Sequence, residues 1–519
     1  MKKTPLLLSL TAAALLIVGC DNDAQTPASK AANEAPKAAA AAPKANPIKV
    51  EIFNGKDLTG FKKLGGEASY SVSPEGNLVG TSTLNTPNTF LATEQDYGNF
   101  VLEYDFKNDP RLNSGVQFRS HSEAKEVAYK GADGKPAKVP VGRVHGYQAE
   151  IDTDPNNVKK PATEARMWSA GLYEEGRRGW IFPGFGGGDA LAFSKQGREI
   201  SKIGEWNHVK IEANGTRIRT WFNGVPRVDV RDDGYKTGFI AFQVHGIGKD
   251  AAKAGTIVEW RNISLTKIPD NTLSASEKAD GWKLLFDGRS SKGWRSAKGP
   301  DFPTAGWSVE KGQLHVAKGD GKESANAGDI ITIERFKEFE VSVDFKLTTG
   351  ANSGLKYFVQ PNLNQGAGSA FGLEFQMLDD AVHPDAKLGR DGNRTVSSLY
   401  DLKTATNKRA NRIGDWNNAY VIAQGTKVEH WLNGRLVISY DRNTAEFRDL
   451  VAKSKYADPK YGKSFGEWAD GHILLQEHGD EVWFRNVKIR DLAPKPAAKP
   501  AAKGGKKAPA KKADAPAKK

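Results

Sequence analysis

Cysteine is all but missing from this chain: one residue, Cys20, in 519. That excludes disulfide cross-links, and a catalytic thiol standing alone at that place has no partner near it. Helical periodicity is missing too. No stretch within residues 48–492 repeats its apolar positions over three turns, so the chain reads as all-β. Gly184, Gly186 and Gly188 crowd one loop, but no strand-to-helix context surrounds them, which excludes a dinucleotide cradle. A strongly basic body is also absent. The net charge of +13 is concentrated in a tail from Ala493 to Lys519 with nine lysines against Asp514, leaving residues 48–492 at +3. Nucleic acid is therefore not an expected partner, and the tail reads as a disordered Lys/Ala/Pro segment.

What is present begins with a leader. Residues 1–20 carry Lys2 and Lys3, an apolar run too short for a comfortable membrane span, and small residues before Cys20. Ile17-Val18-Gly19-Cys20 resembles a bacterial lipoprotein cleavage box. The resemblance implies lipidation of Cys20, export, and anchoring to the inner or outer membrane facing the periplasm or cell surface. Residues 21–47 hold almost no large apolar side chains and read as a flexible Ala/Pro/Lys tether.

The remainder is written twice. Residues 204–224, GEWNHVKIEANGTRIRTWFNG, return at 414–434 as GDWNNAYVIAQGTKVEHWLNG. NFVLEYDFK…NSGVQF at 99–118 returns as EFEVSVDFK…NSGLKY at 338–357, and HGYQAEIDTD at 145–154 as FGLEFQMLDD at 371–380. Landmarks in the same order throughout make this a tandem duplication, with units at 48–268 and 277–492. Each unit has the size of one sandwich or barrel, about 220 residues. Leu102, Tyr104 and Phe106 alternate with Val101, Glu103 and Asp105, and Asn214-Gly215 and Asn223-Gly224 sit between alternating runs as hairpin turns. The expectation is two antiparallel β-sandwiches in tandem.

Alternation then separates faces. Where Tyr147, Ala149 and Ile151 form a core face, Gln148, Glu150 and Asp152 lie opposite; in the second unit Glu374 and Gln376 lie opposite Leu373, Phe375 and Met377. By the same rule Gln243 and His245 share a face, as do Gln476 and His478. After Asn113-Ser114-Gly115, Gln117 and Arg119 face away from Val116 and Phe118; the second unit keeps Asn352-Ser353-Gly354 but loses the arginine. Carboxylate, amide, imidazole and cation on one face suggest a polar groove, although an ordinary solvated sheet face would also show polar residues there. The loop 171–188 adds Tyr173, Glu174, Glu175, Arg177, Arg178 and Trp180, and aromatic faces beside charged forks suit sugars. In the second unit the run Asp379-Asp380-Ala381-Val382-His383-Pro384-Asp385 gathers three carboxylates and an imidazole. Asp379 and His383 could hold a divalent ion, but Asp-rich turns bonding to their own backbone are commoner. Tyr400, nearby in sequence, is a candidate substrate contact.

These motifs, in this order and in both units, resemble the 3-keto-disaccharide hydrolase domain family. The carriers are Phe53-Asn54-Gly55-Lys56-Asp57-Leu58, Asn113-Ser114-Gly115, Gly146-Tyr147-Gln148, Gly204-Glu205-Trp206-Asn207 and Phe242-Gln243 with His245-Gly246. The resemblance implies a jelly-roll sandwich of the concanavalin A-like lectin/glucanase kind, acting on glycosides already oxidised at C3. A C3 ketone acidifies the hydrogen at C2; a base removes it, the enolate expels the C1 substituent, and water adds to the enone. Such a site needs a base, a proton donor and a cradle for the enolate oxygen. It needs no cofactor in this chain, because a separate sugar 3-dehydrogenase would supply the ketone. Physical reasoning assigns Glu150 as base, His245 as acid or substrate contact, Arg119 and Gln148 around the enolate oxygen, and Glu174 as the rival carboxylate. The matching set is Glu374, Gln376 and His478. The alternative is a carbohydrate- or wall-binding lipoprotein using the same faces. An ordinary two-carboxylate glycosidase is disfavoured, since neither unit has the Glu-x-Asp-x-x-Glu strand of sandwich glucanases.

Overall fold

A computed structural model of the chain describes residues 47–158, 163–324, 327–462 and 464–493. The leader with Cys20, the tether apart from Pro47, and the tail beyond Ala493 lie outside the described residues. Within them the chain forms two all-β sandwiches, every named strand pair being antiparallel. The first joins an eight-stranded sheet to a seven-stranded one, and the second an eight-stranded sheet to a five-stranded one.

The alternation read from the sequence is what buries each core. Along Phe100–Asn108 every second residue is buried, and Leu102, Tyr104 and Phe106 pack with Phe118, Tyr147, Phe242 and Trp260 between the two sheets. Val341, Val343 and Phe345 do the same with Leu355, Leu373 and Phe375 in the second sandwich. The Asn-Gly signals mark tight turns. Asn223 and Gly224 both have positive φ (49° and 82°), and so do Asn433 and Gly434 (51° and 81°). These values match the primed turn whose twist suits a two-residue hairpin.

The sheets that matter for function are the seven- and five-stranded ones. The first runs, in spatial order, Gly179–Phe182, Leu172–Glu175, Val144–Ile151, Ser114–Ser122, Phe239–Val244, Thr89–Thr93 and Phe61–Gly65. The second repeats five of these as Phe371–Leu378, Asn352–Gln360, His472–Leu475, Ile330–Thr332 and Trp294–Ser296. Among the described residues the strands Gly179–Phe182 and Leu172–Glu175 have no counterpart strand in the second sheet, where a single bridge from Phe375 to Leu399 stands at the place of Leu172–Glu175.

One expectation fails in part: a three-turn helix, Ala190–Ile200, lies inside the first unit. Its apolar stripe is too thin to show as periodicity, because only Phe193, Ser194 and Gly197 are buried. Gly197 packs so closely on the Met167 carbonyl that any side chain there would collide with it. Asp189 caps the helix by accepting the Ala192 N–H at 2.6 Å.

The sandwiches meet through charge. The connector carries a capping box in which the Ser274 hydroxyl accepts from Glu277 N and Glu277 from Ser274 N. Glu277 pairs with Lys488 at 2.5 Å and accepts from Asn214 at 3.0 Å, so one short helix ties both domains. Farther along the contact, Arg435 of the second domain grips Asp233 of the first with two bonds of 2.9 and 2.7 Å.

Candidate active site

A cleft of about 420 Å³ opens on the seven-stranded sheet, lined among others by Asn113, Gln148, Glu150, Tyr173, Trp180, Gln243 and His245. Its floor follows from strand register. Gln243 and Glu150 both stand opposite Gly115, on its two neighbouring strands. A Cβ on Gly115 would collide with the Gln148 side chain, so glycine lets that amide lie flat across the sheet.

Glu150 is the centre of the floor and is 4% exposed. Its Oε1 accepts from Asn113 Nδ2 at 2.8 Å and from Arg166 Nη2 at 3.1 Å, and its Oε2 accepts from Gln148 Nε2 at 2.8 Å. Gln148 is itself oriented: its Oε1 accepts Gln117 Nε2 at 2.5 Å, and Gln117 accepts the Ser120 hydroxyl at 3.0 Å. Burial pushes the Glu150 carboxyl up to about 7, with Asp152 adding to the rise and Arg166, Asn113 and Gln148 opposing it. A carboxyl that is half ionised near neutrality can both take and return a proton.

Arg166 is the cation that reaches Glu150. Its Nε donates to Asp152 at 2.7 Å while Nη2 reaches Glu150, and its guanidinium lies 5.0 and 4.9 Å from the ring centres of Trp168 and Trp180. Tyr173 stands edge-on to Trp180, their centroids 5.0 Å apart, and Glu175 pairs with Arg143 at 2.6 Å. The Gln243 side chain is 1% exposed, and neither end of its amide has a partner among the described residues. An orphaned buried amide in a cleft wall marks a place where a ligand completes the bonding. His245 sits at the exposed rim with Nδ1 donating to the Gly246 carbonyl at 2.8 Å. Desolvation lowers its pKa, which favours the neutral ring, and Nε2 has no hydrogen-bond partner among the described residues.

Three residues read as site groups from the sequence lie elsewhere. Arg119 is 1% exposed and donates to the carbonyls of Gly98, Gly215 and Tyr235 and to Asn99 Oδ1. Its strand is irregular against both neighbours here, and Arg119 has φ 46°, so alternation breaks and the side chain turns into the protein. Glu174 and Arg178 fail for a different reason. The segment Leu172–Glu175 is a strand in which Leu172 and Glu174 face inward, leaving Tyr173 and Glu175 to the cleft. Glu174 is fully buried, ion-paired with Arg177 and Arg178, and accepts the Tyr235 hydroxyl at 3.0 Å. Arg178 in turn holds Asp232 at 2.9 and 2.7 Å. Asp152 supports the site through Arg166 without lining the cleft.

Sequence reasoning missed Arg166, Arg143 and Asn157, and it placed Glu175 in the 171–188 loop without choosing it as a site group. Glu175 was reachable, because strand alternation from Leu172 selects it over Glu174. Arg166 carried no such signal, lying in a non-strand segment 16 residues beyond Glu150.

In the second domain the register gives the same floor with different chemistry. Gln376 stands opposite Gly354, at the place of Glu150, and Glu374 opposite Lys356, at the place of Gln148. Glu374 is buried, pairs with Lys356 at 3.5 Å, and has its pKa raised by burial against the pull of Lys356 and Lys455. Lys356 also reaches Glu323 at 3.9 Å and donates to Ser369 at 2.5 Å. Gln476 donates to Glu323 at 2.9 Å. Gln376 has no partner at either end of its amide among the described residues, and Asn352 Oδ1 and His478 Nδ1 have none there either. The Tyr400 hydroxyl donates to Asp385 at 2.9 Å.

Comparison with known proteins bears on both floors. The chain matches the 3-keto-alpha-glucoside-1,2-lyase-like domain over residues 49–266 and again over 281–490. A 3-keto-disaccharide hydrolase of Bacteroides thetaiotaomicron is 33% identical over 264 residues, which is 48% of this chain and 91% of that protein. A crystal structure from Parabacteroides distasonis, of a protein provisionally described as a glycosyl hydrolase, is 28% identical and aligns over 43% of this chain and all of its own, with a TM-score of 0.37. A carbohydrate-binding module from Bacillus subtilis aligns over 40% of this chain and 95% of its own at 15% identity, with a TM-score of 0.21.

Proposed function

Because this chain belongs, in each of its two sandwiches, to the 3-keto-alpha-glucoside-1,2-lyase-like domain family, we propose that it cleaves glycosides oxidised at C3, and that the first domain performs the cleavage. The observation that carries the reading is Glu150, a buried carboxyl raised to about 7 on the floor of a cleft walled by Tyr173 and Trp180. The relative from Bacteroides thetaiotaomicron, a 3-keto-disaccharide hydrolase by name, supports the same substrate class.

The chemistry proceeds on this chain's own side chains. Ionised Glu150 takes the C2 proton that the adjacent ketone has acidified, and negative charge moves to the C3 oxygen. Gln243, whose amide lacks a partner among the described residues, and the Arg166 guanidinium are the donors for that oxygen. The C1–O bond then breaks, and the departing alkoxide takes the proton from Glu150. Addition of water to C1, with Glu150 again accepting and returning a proton to C2, completes net hydrolysis. Of the two roles read for His245, substrate contact is favoured by the lowered pKa, with Nε2 accepting a sugar hydroxyl. The ketone itself comes from an oxidising enzyme acting earlier on the same sugar. The lipid anchor at Cys20 belongs to the same proposal and places the reaction outside the cytoplasm.

For the second domain a binding role is favoured by one observation: an amide, Gln376, occupies the place of Glu150. The test of the elimination step is deuterium exchange. In deuterated water the protein should exchange the C2 hydrogen of a 3-keto-glucoside and incorporate deuterium into the product, followed by nuclear magnetic resonance. Cleavage without deuterium at C2 refutes the mechanism.

A further inference from the structure

We infer that the second domain carries a divalent-cation site built from His383, His478 and Asp480. One ligand atom from each of the three lies within 4.8 Å of the other two, and the imidazole rings stand 6.1 Å apart at an interplanar angle of 85°. These side chains come from two loops at the end of the polar floor. His478 follows Gln476 by two residues at the end of the strand His472–Leu475, and His383 follows the strand Phe371–Leu378. The Asp480 carboxylate is fixed, its Oδ2 accepting the Asn352 N–H at 2.9 Å.

A second observation points to a ligand here. His478 Nδ1 is buried without a hydrogen-bond partner among the described residues, and so is Oδ1 of Asn352, a residue 3% exposed whose own N–H holds Asp480. Unpaired buried acceptors beside an imidazole pair and a carboxylate are the arrangement that a cation satisfies. Among the described residues the first domain has no such group. Counted along the matched motifs, His245 falls where His478 does, but Ile247 falls at the place of Asp480 and Asn157 at that of His383. The site is therefore a property that the second copy acquired or the first one lost.

The ligand set differs from the pair expected from the sequence. Asp379 accepts the N–H groups of Gly350 at 2.8 Å and Ala381 at 3.1 Å, which makes it the holder of its own turn. Two imidazoles and one carboxylate select a first-row ion such as Zn²⁺, Mn²⁺ or Co²⁺ over Ca²⁺, whose preferred shell is all oxygen. Loading costs one hydrogen bond. His383 Nδ1 now accepts the Asp385 N–H at 3.1 Å; ligation through Nδ1 takes that lone pair, and ligation through Nε2 moves the ring proton to Nδ1, so the bond is lost either way. Coordination positions left open would take water or vicinal hydroxyls of a sugar lying over Gln376 and Gln476.

The test is equilibrium dialysis of the metal-stripped full chain against Zn²⁺, Mn²⁺ or Ca²⁺, with elemental analysis of the retained ion, and the visible spectrum of the Co²⁺ form. About one equivalent of Zn²⁺ or Mn²⁺ is expected, lost in His478→Ala and weakened at least tenfold in the conservative Asp480→Asn, with circular dichroism confirming that both variants fold. A Co²⁺ spectrum typical of nitrogen ligation should vanish in His383→Gln. No retained ion, or retention equal in all three variants, overturns the proposal. The readout is metal content, so it stands or falls apart from the cleavage reaction.

Discussion

The strands Val144–Ile151 and Phe371–Leu378 occupy the same place in their sandwiches, each beside the strand that carries Ser-Gly of the Asn-Ser-Gly motif. Yet the first puts its carboxylate opposite a glycine, where the second puts an amide. A swap of Glu and Gln two residues apart keeps both side chains on the same face, because the side-chain period of a strand is two. It moves the acid by one pleat repeat, roughly 6–7 Å along the strand. In the first domain that places Glu150 among neutral amides and one arginine; in the second, Glu374 meets a buried lysine. The hairpin of the first sheet supplies Tyr173, Glu175 and Trp180 as a wall, where the described residues of the second sheet have only the bridge of Leu399 to Phe375. The comparison teaches that duplication preserved the scaffold and let the acid, its counter-charge and the wall drift together.

The comparison can be broken most decisively at the two carboxylates. Glu150→Gln should lower turnover of a 3-keto-glucoside by about 10²–10⁴-fold, the usual worth of a positioned acid-base group. Glu374→Gln should stay within about twofold, since its place in the proposed cleavage is nil. Equal losses in both would erase the asymmetry. Arg166→Ala comes next. It leaves Glu150 and Asp152 buried without their shared cation, so urea unfolding should show a loss of about 3–5 kcal/mol in the first domain.

The raised pKa of Glu150 gives a third contrast. A carboxyl whose folded value lies near 7 and whose unfolded value is 4.5 contributes stability below 4.5 that is lost as pH rises through 7. Thermal denaturation of Glu150→Gln, which cannot ionise, should therefore gain on the wild type between pH 5 and pH 8, by at most about 3 kcal/mol. A constant difference across that range would remove the basis for a proton shuttle. The smallest effect is expected at the domain contact. Arg435 grips Asp233, whose neighbour Asp232 holds Arg178, which holds Glu174 between the cleft residues Tyr173 and Glu175. Arg435→Ala should raise KM for the keto-sugar by less than about tenfold with kcat little changed, roughly the worth of one partly exposed charged contact.

Much of this was legible in the chain. Duplication, sandwich class and the inward faces at Tyr147, Phe242 and Leu373 follow from alternation and repeated landmarks, and the same rule brought Gln148, Glu150 and Gln243 to one floor. Alternation failed where the backbone departs from a regular strand. Positive φ at Arg119 turns that side chain inward, and a short strand hidden in a Gly-rich stretch exchanged Glu174 for Glu175. Arg166 was illegible because its contacts depend on how a non-strand segment returns to Glu150, Trp168 and Trp180, which no local spacing encodes. The helix Ala190–Ile200 was hidden by its own narrow contact, one phenylalanine and a glycine against a carbonyl.

The most direct test sets a 3-keto-glucoside beside its unoxidised parent, with release of the leaving group followed for the purified chain under identical conditions. The account expects release from the keto-sugar alone. Release from the unoxidised glucoside at a comparable rate would contradict it, because Glu150 would then be cleaving a bond with no acidic C2 hydrogen beside it.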